Sequence, residues 1–162
     1  MLVVDTSAFV SLSVGGILDV VLEDFTVTKT ETVLLELEAT AEYDDVHGDT
    51  ASGVLDARDQ FTILDIDGNE YETSRVDAGE ASCVAAVQAT DASFLLTDDF
   101  RALPELQRLV NVEVALFPIV LRALVKRGAL EDAAAREAFE RIAEGRDWLE
   151  APIYRYAQQL LE

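Results

Sequence analysis

The chain has 162 residues, half of them apolar, and sets 32 acidic against 12 basic residues for a formal charge of −20 at pH 7. That length suits one domain with a real core, and the apolar share excludes a disordered acidic tail. A single cysteine, Cys83, and a single histidine, His47, exclude a disulfide framework, a multi-cysteine zinc cage and a His-rich metal site.

The opening run Leu2-Val3-Val4 is short and apolar and meets Asp5 at once. It reads as a buried strand of a parallel sheet rather than a signal peptide. Phe9 to Leu12 looks like a first helical turn, broken by Gly15-Gly16, and Ile17 to Leu22 like a second short helix. Phe25 to Thr28 reads as a β-branched strand. Thr30 to Val46 has helical spacing, with Val33, Leu34, Leu37 and Ala41 on one face and Gly48 as its stop. Thr50 to Asp59 is a further helix, Phe61 to Leu64 a strand, and Asp67-Gly68-Asn69 a turn. Asp77-Ala78-Gly79-Glu80 opens a helix running to about Ala89, and Ser93 to Thr97 is a buried strand followed directly by Asp98-Asp99. Leu103-Pro104 starts a helix, and Val112 to Ala115 is the last strand. Helices then follow from Ile119 to Lys126 (with Gly128 as stop), from Leu130 to Ala143, and after Pro152. Strands alternating with helices predict an α/β fold with a central parallel sheet over residues 1–115, and a helical extension over 116–162. No apolar segment is long enough to span a bilayer, so a cytoplasmic location and no membrane partner are expected.

Two of these strands end in acid, at Asp5 and at Asp98-Asp99. In one parallel sheet their carboxyl ends share an edge, where open α/β sheets bind ligands. The helices start at that edge too, which brings in Glu80, in the first turn of its helix, and Glu36, early in the helix from Thr30. Asp5, Glu36, Glu80, Asp98 and Asp99 therefore form a candidate oxygen site for Mg²⁺ or Mn²⁺. Such an ion activates water and neutralises charge developing at phosphorus.

Each acid also has a plainer role. Asp5 can cap the helix after it, and Glu80 stands three residues after Asp77, the spacing of a capping box. Asp98 and Asp99 can cap a helix over Phe100 to Leu103, and Glu36 and Glu38 can be solvated helix positions. His47 reads as a helix-end residue on the last carbonyls and Cys83 as a small core residue. Trp148 and Tyr154 read as packing of the extension. Arg122, Lys126 and Arg127 read as helix C-terminal charge. The even scatter of acids, with ten Arg against two Lys, fits a protein working in molar salt, where the Debye length is about 3 Å and self-repulsion is screened.

Taken together, the motifs resemble the PIN-domain family. Val3-Val4-Asp5-Thr6-Ser7 resembles its first motif, Val33-Leu34-Leu35-Glu36-Leu37 its second, and Asp77-Ala78-Gly79-Glu80-Ala81 the Gly-Glu form of its third, where many members carry Asp. Leu95-Leu96-Thr97-Asp98-Asp99-Phe100 resembles the fourth, with Asp99 at the motif acid. The resemblance implies a three-layer α/β/α domain and a Mg²⁺- or Mn²⁺-dependent, VapC-like endoribonuclease. Asp5, Glu36, Glu80 and Asp99 would be its catalytic acids and Asp5, Glu80, Asp98 and Asp99 its metal-facing ones. Thr6 and Thr97 would orient carboxylates. It further implies an RNA substrate, a small antitoxin partner and homodimer formation. A non-catalytic PIN-fold module binding RNA or protein is the alternative. An aspartyl-phosphate phosphatase is disfavoured, because Ser7 stands where that chemistry needs a second Asp.

Overall fold

Valine- and leucine-rich runs without polar interruption form parallel strands when both faces are covered, and here they build the centre of the molecule. The computed structural model describes residues 1–146 and 151–161. In chain order the elements are β1 (Leu2–Val4), α1 (Thr6–Val14), α2 (Leu18–Asp24), β2 (Val27–Thr30), α3 (Glu31–Ala41), α4 (Val46–Asp56) and β3 (Thr62–Leu64). Then come α5 (Ala78–Ala89), β4 (Phe94–Thr97), α6 (Leu103–Leu109), β5 (Glu113–Leu116), α7 (Phe117–Lys126), α8 (Asp132–Gly145) and α9 (Pro152–Leu161). The strands form one five-stranded sheet in the order β3-β2-β1-β4-β5. All four pairings are parallel, with Val3 opposite Thr28 on one side and Leu95 on the other. Helices cover the sheet in a three-layer α/β/α arrangement.

This strand order positions the site. The chain runs outward from β1 through β2 to β3, then returns to the other side of β1 for β4 and β5. The reversal lies between β1 and β4, and the crevice outside the carboxyl ends of such a strand pair is where ligands enter this class of sheet. Asp5 and Asp98 are the first residues beyond those two ends.

The helical extension shares the core of the sheet. Helix α7 packs on β5, α8 on α1 and α7, and α9 on α7. Phe117, Leu121, Phe139 and Ile142 belong to the same apolar cluster as Val3 and Val4. Tyr154 stacks on Phe139 with ring centroids 5.3 Å apart, so it packs the extension as expected; Trp148 lies outside the described residues. Cys83 is buried and free. Arg127, the residue that ends α7, pairs with Asp24 and lies over the Phe25 ring at 4.7 Å, a packing role. Lys29, fully buried on β2, sits 4.2 Å from the Phe61 ring centroid, a cation–π contact. No single helix among the described residues is long and apolar enough to cross a membrane.

One stretch corrects the sequence reading. The helix expected over Thr30 to Val46 ends at Ala41, and a new one starts at Val46 in place of the helix expected over 50–59. The cause is Asp45, which adopts extended backbone and accepts a hydrogen bond from the Gly48 amide at 2.8 Å, capping α4. Gly48 is therefore not a stop. It lies in the first turn of α4, where a Cβ would fall 1.8 Å from the Tyr43 carbonyl oxygen. His47 likewise sits at the start of a helix, not at its end.

Because the clash at Gly48 is with backbone, Gly48→Ala should cost about 2 kcal/mol of stability. Urea unfolding of the two proteins side by side checks this. A difference below about 0.5 kcal/mol would mean that the α3–α4 turn yields freely.

Candidate functional site

Asp5 follows the buried β1 and is itself 2% exposed. It caps α1: Oδ1 accepts from the Ala8 amide at 2.9 Å and from the Ser7 hydroxyl at 2.8 Å, and Oδ2 accepts from the Thr97 hydroxyl. Capping and site membership are thus one geometry, since the carboxylate that closes the helix also faces the sheet edge. Burial pushes its pKa from 3.8 up to about 6, against the pull of these three donors.

Glu36 projects from α3 towards the same edge and accepts a hydrogen bond from the Thr6 hydroxyl. Thr30 sets the helix in place: its hydroxyl accepts from the Val33 amide at 3.1 Å and lies 2.6 Å from the Ser82 hydroxyl of α5. The Glu36 carboxylate rests on the amino end of α5, where the Gly79 amide donates to it. A Cβ on Gly79 would stand 2.4 Å from Oε1 and 2.5 Å from Oε2, so the Gly of the Gly-Glu motif is the space that Glu36 occupies. Burial raises the pKa of Glu36, and Thr6 and Gly79 oppose the shift. Glu38 is exposed and takes no part.

Glu80 and Asp77 form a full capping box on α5, Asp77 N to Glu80 Oε2 at 3.0 Å and Glu80 N to Asp77 Oδ1 at 2.9 Å. Glu80 is nonetheless 6% exposed and shares a hydrogen bond with Asp99. Burial first, then that bond, then the charges of Asp77 and Asp5 raise its pKa from 4.5 to about 9. The same burial and neighbouring carboxyls favour the protonated form of Glu80. Asp99 in turn caps the turn after β4, accepting from the Arg101 amide at 3.0 Å and the Ala102 amide at 3.2 Å.

Asp98 points to the extension. Its Oδ1 accepts from the Phe117 amide at the start of α7 at 2.8 Å, and its Oδ2 is buried without a hydrogen-bond partner. Burial raises its pKa from 3.8 to about 7, and the Phe117 amide and the charge of Arg146 restrain it.

Around these groups lies an open cleft of about 500 Å³, lined by Thr6, Ser7, Glu36, Glu80, Asp98 and Asp99 among others. It deepens into a recess of about 40 Å³ walled by Asp5, Thr6, Ser7, Glu36, Asp77 and Glu80. All the acids expected at the edge are brought together. Thr97 orients Asp5 and Thr6 orients Glu36.

The sequence reading did not assign Ser7, Asp77, His47 or Arg146 to the site. Ser7 donates to Asp5 and accepts from the Asp98 amide at 3.0 Å, so it stitches the ends of β1 and β4. Its place two residues beyond the strand-ending acid was the available signal. His47 and Arg146 line the cleft from α4 and from the end of α8, and nothing in the local sequence of either pointed there.

The donor set is all oxygen and holds protons that a hard cation would displace. No three His, Cys, Asp or Glu among the described residues stand ready as a cage. Mg²⁺ does not require one, since it binds through one or two carboxylates, waters and substrate phosphate. The residues fit such an ion by chemistry, and Asp5, Glu80, Asp98 and Asp99 are the groups that would hold it.

A family model described as a PIN domain matches residues 1–162. No curated protein and no solved structure matches the chain.

Two outcomes follow from this geometry. Gly79→Ala should fold with little loss of stability, because the clashing atoms are the far end of the flexible Glu36 side chain, yet it should weaken Mn²⁺ binding by isothermal titration by about tenfold. Unchanged affinity would show that the Glu36 position is immaterial. Secondly, Asp5, Asp98 and Glu80 hold protons more tightly folded than unfolded. Their contribution to stability is full below about pH 4 and is lost as pH rises through about 6, 7 and 9. Added Mn²⁺ should therefore raise Tm more at pH 8 than at pH 5, and the opposite order would contradict the assignment.

Proposed function

The chain belongs to the PIN-domain family, and we propose that it is a divalent-metal-dependent endoribonuclease that hydrolyses RNA phosphodiester bonds. The observation that supports this most is the meeting of Asp5, Glu36 and Glu80 around one recess at the switch point of the sheet, with Asp99 on the adjoining cleft that Glu36 and Glu80 also line. A nuclease-type fold with a carboxylate-rich cleft suits phosphate chemistry through a hard cation.

The residues divide the work as follows. Bound Mg²⁺ or Mn²⁺ supplies positive charge at the phosphate and a bound water of lowered pKa. Asp5, fixed by Ser7 and Thr97, is held rigid with one oxygen towards α1. Glu80, whose burial favours its protonated form, would face the ion together with Asp99. Glu36, seated on the amino end of α5, keeps a carboxylate at the recess wall next to Thr6. Action as the toxin of a toxin–antitoxin pair, with a homodimer as the working form, is the finer proposal. It rests on the resemblance of the four motifs to that branch of the family.

The test is cleavage of a panel of single-stranded RNAs with Mn²⁺ in molar KCl, comparing wild type with Asp5→Asn and Asp99→Asn. Wild type should cleave and each variant should lose about 10²-fold or more in rate. Equal cleavage by all three, or RNA binding without any cleavage, would point to a non-catalytic PIN-fold module.

A further inference from the structure

The cleft is lined by Glu36, Asp77, Glu80, Asp98 and Asp99, yet two side chains on its wall are of the opposite kind, Arg146 and His47. In a chain with 12 basic residues against 32 acidic ones, a cation at this place is not explained by composition. It is not explained by ion pairing either. The ion pairs among the described residues are Arg127 with Asp24 and Arg136 with Asp132, and neither uses Arg146. Arg146 acts on Asp98 only through its charge.

Position adds to this. Arg146 ends α8, its amide bonded to the Ile142 carbonyl at 2.8 Å, so the backbone that carries it is fixed to the extension. His47 is held on the first turn of α4 by the Asp45 cap and the close approach at Gly48. An RNA strand entering the acidic recess brings a negative charge at every nucleotide. A bound divalent ion answers one phosphate, and its neighbours require donors. A guanidinium offers five N–H groups in a fork that matches two phosphate oxygens, and an imidazole N–H adds a further donor.

We propose that Arg146, assisted by His47, binds the RNA phosphate next to the scissile one, so that the helical extension supplies the main substrate grip. This deepens the endoribonuclease reading and rests on it for the identity of the substrate. The competing role for Arg146 is to offset the charge of Asp98 with no contact to RNA.

The experiment measures binding of a fluorescein-labelled single-stranded RNA of about 12 nucleotides by anisotropy, with Mn²⁺ present. The Asp99→Asn protein blocks cleavage and serves as background. Arg146→Gln, Arg146→Lys and His47→Gln are compared on it. Arg136→Gln is the control, because it makes the same charge change on α8 at an exposed, Asp132-paired position. Arg146→Gln should weaken binding about tenfold and flatten the dependence of log Kd on log salt by about 0.7, the loss of one phosphate contact on a single strand. Arg146→Lys should lose about threefold, keeping the charge without the fork. His47→Gln should lose about twofold to threefold, and Arg136→Gln should bind like the background. Arg146→Gln binding no worse than Arg136→Gln, with an unchanged salt slope, overturns the proposal and leaves the nuclease reading intact. Arg146-dependent binding alongside wild-type protein that never cleaves supports the contact while removing the nuclease reading. No RNA binding by any of the proteins removes both.

Discussion

Several carboxyl groups buried side by side are the constraint from which this site is built. Asp5, Glu80 and Asp98 are each almost wholly removed from water, and each would repel the others if all were ionised. The fold answers with donors fixed in advance. The Ser7 and Thr97 hydroxyls hold Asp5, the Phe117 amide holds Asp98, and the Gly79 amide with the Thr6 hydroxyl holds Glu36. At Glu80 burial and the neighbouring charges outweigh such donors and raise the pKa to about 9. Under the proposed function, a divalent charge among these carboxyls would relieve their mutual repulsion.

The helix starts do two jobs at once. Asp5 caps α1, the Asp77–Glu80 box caps α5, and Asp99 caps the turn after β4. Each of these is an ordinary device for satisfying free amides. In a parallel sheet, however, every helix that follows a strand begins at the same edge. Capping carboxylates are therefore delivered to a common place, and the structural and chemical explanations of these acids do not compete. Gly79 shows how tight the delivery is, for any side chain there would occupy the position of the Glu36 carboxylate.

The extension is tied into this arrangement rather than appended to it. Asp98 receives the first amide of α7, and Phe117, Leu121 and Ile142 complete the apolar core beside the sheet. Arg146 then arrives at the cleft from the far end of α8. In a chain with a charge of −20, long-range attraction would not bring RNA to the surface, so under the proposed function recognition of a polyanion would depend on short-range contacts inside the cleft.

Much of this was legible in the residues alone. The alternation of apolar runs and helical spacing predicts the parallel sheet, because covered strands need no polar face. Strand-ending acids at Asp5 and Asp98-Asp99 mark the carboxyl edge of the sheet, because position at a strand end is a local property of the chain. Local pattern could not show that the helix expected from Thr30 to Val46 breaks at Ala41. That break depends on Asp45 capping a second helix and on Gly48 meeting the Tyr43 carbonyl, which are contacts across a turn. Nor could it separate Glu36 from Glu38, which differ in burial and not in type. The bridging role of Ser7 and the presence of His47 and Arg146 at the cleft arise only when β1, β4, α4 and α8 are packed together. Spacing along the chain determines which groups point to an edge, and only tertiary packing decides which distant groups share it.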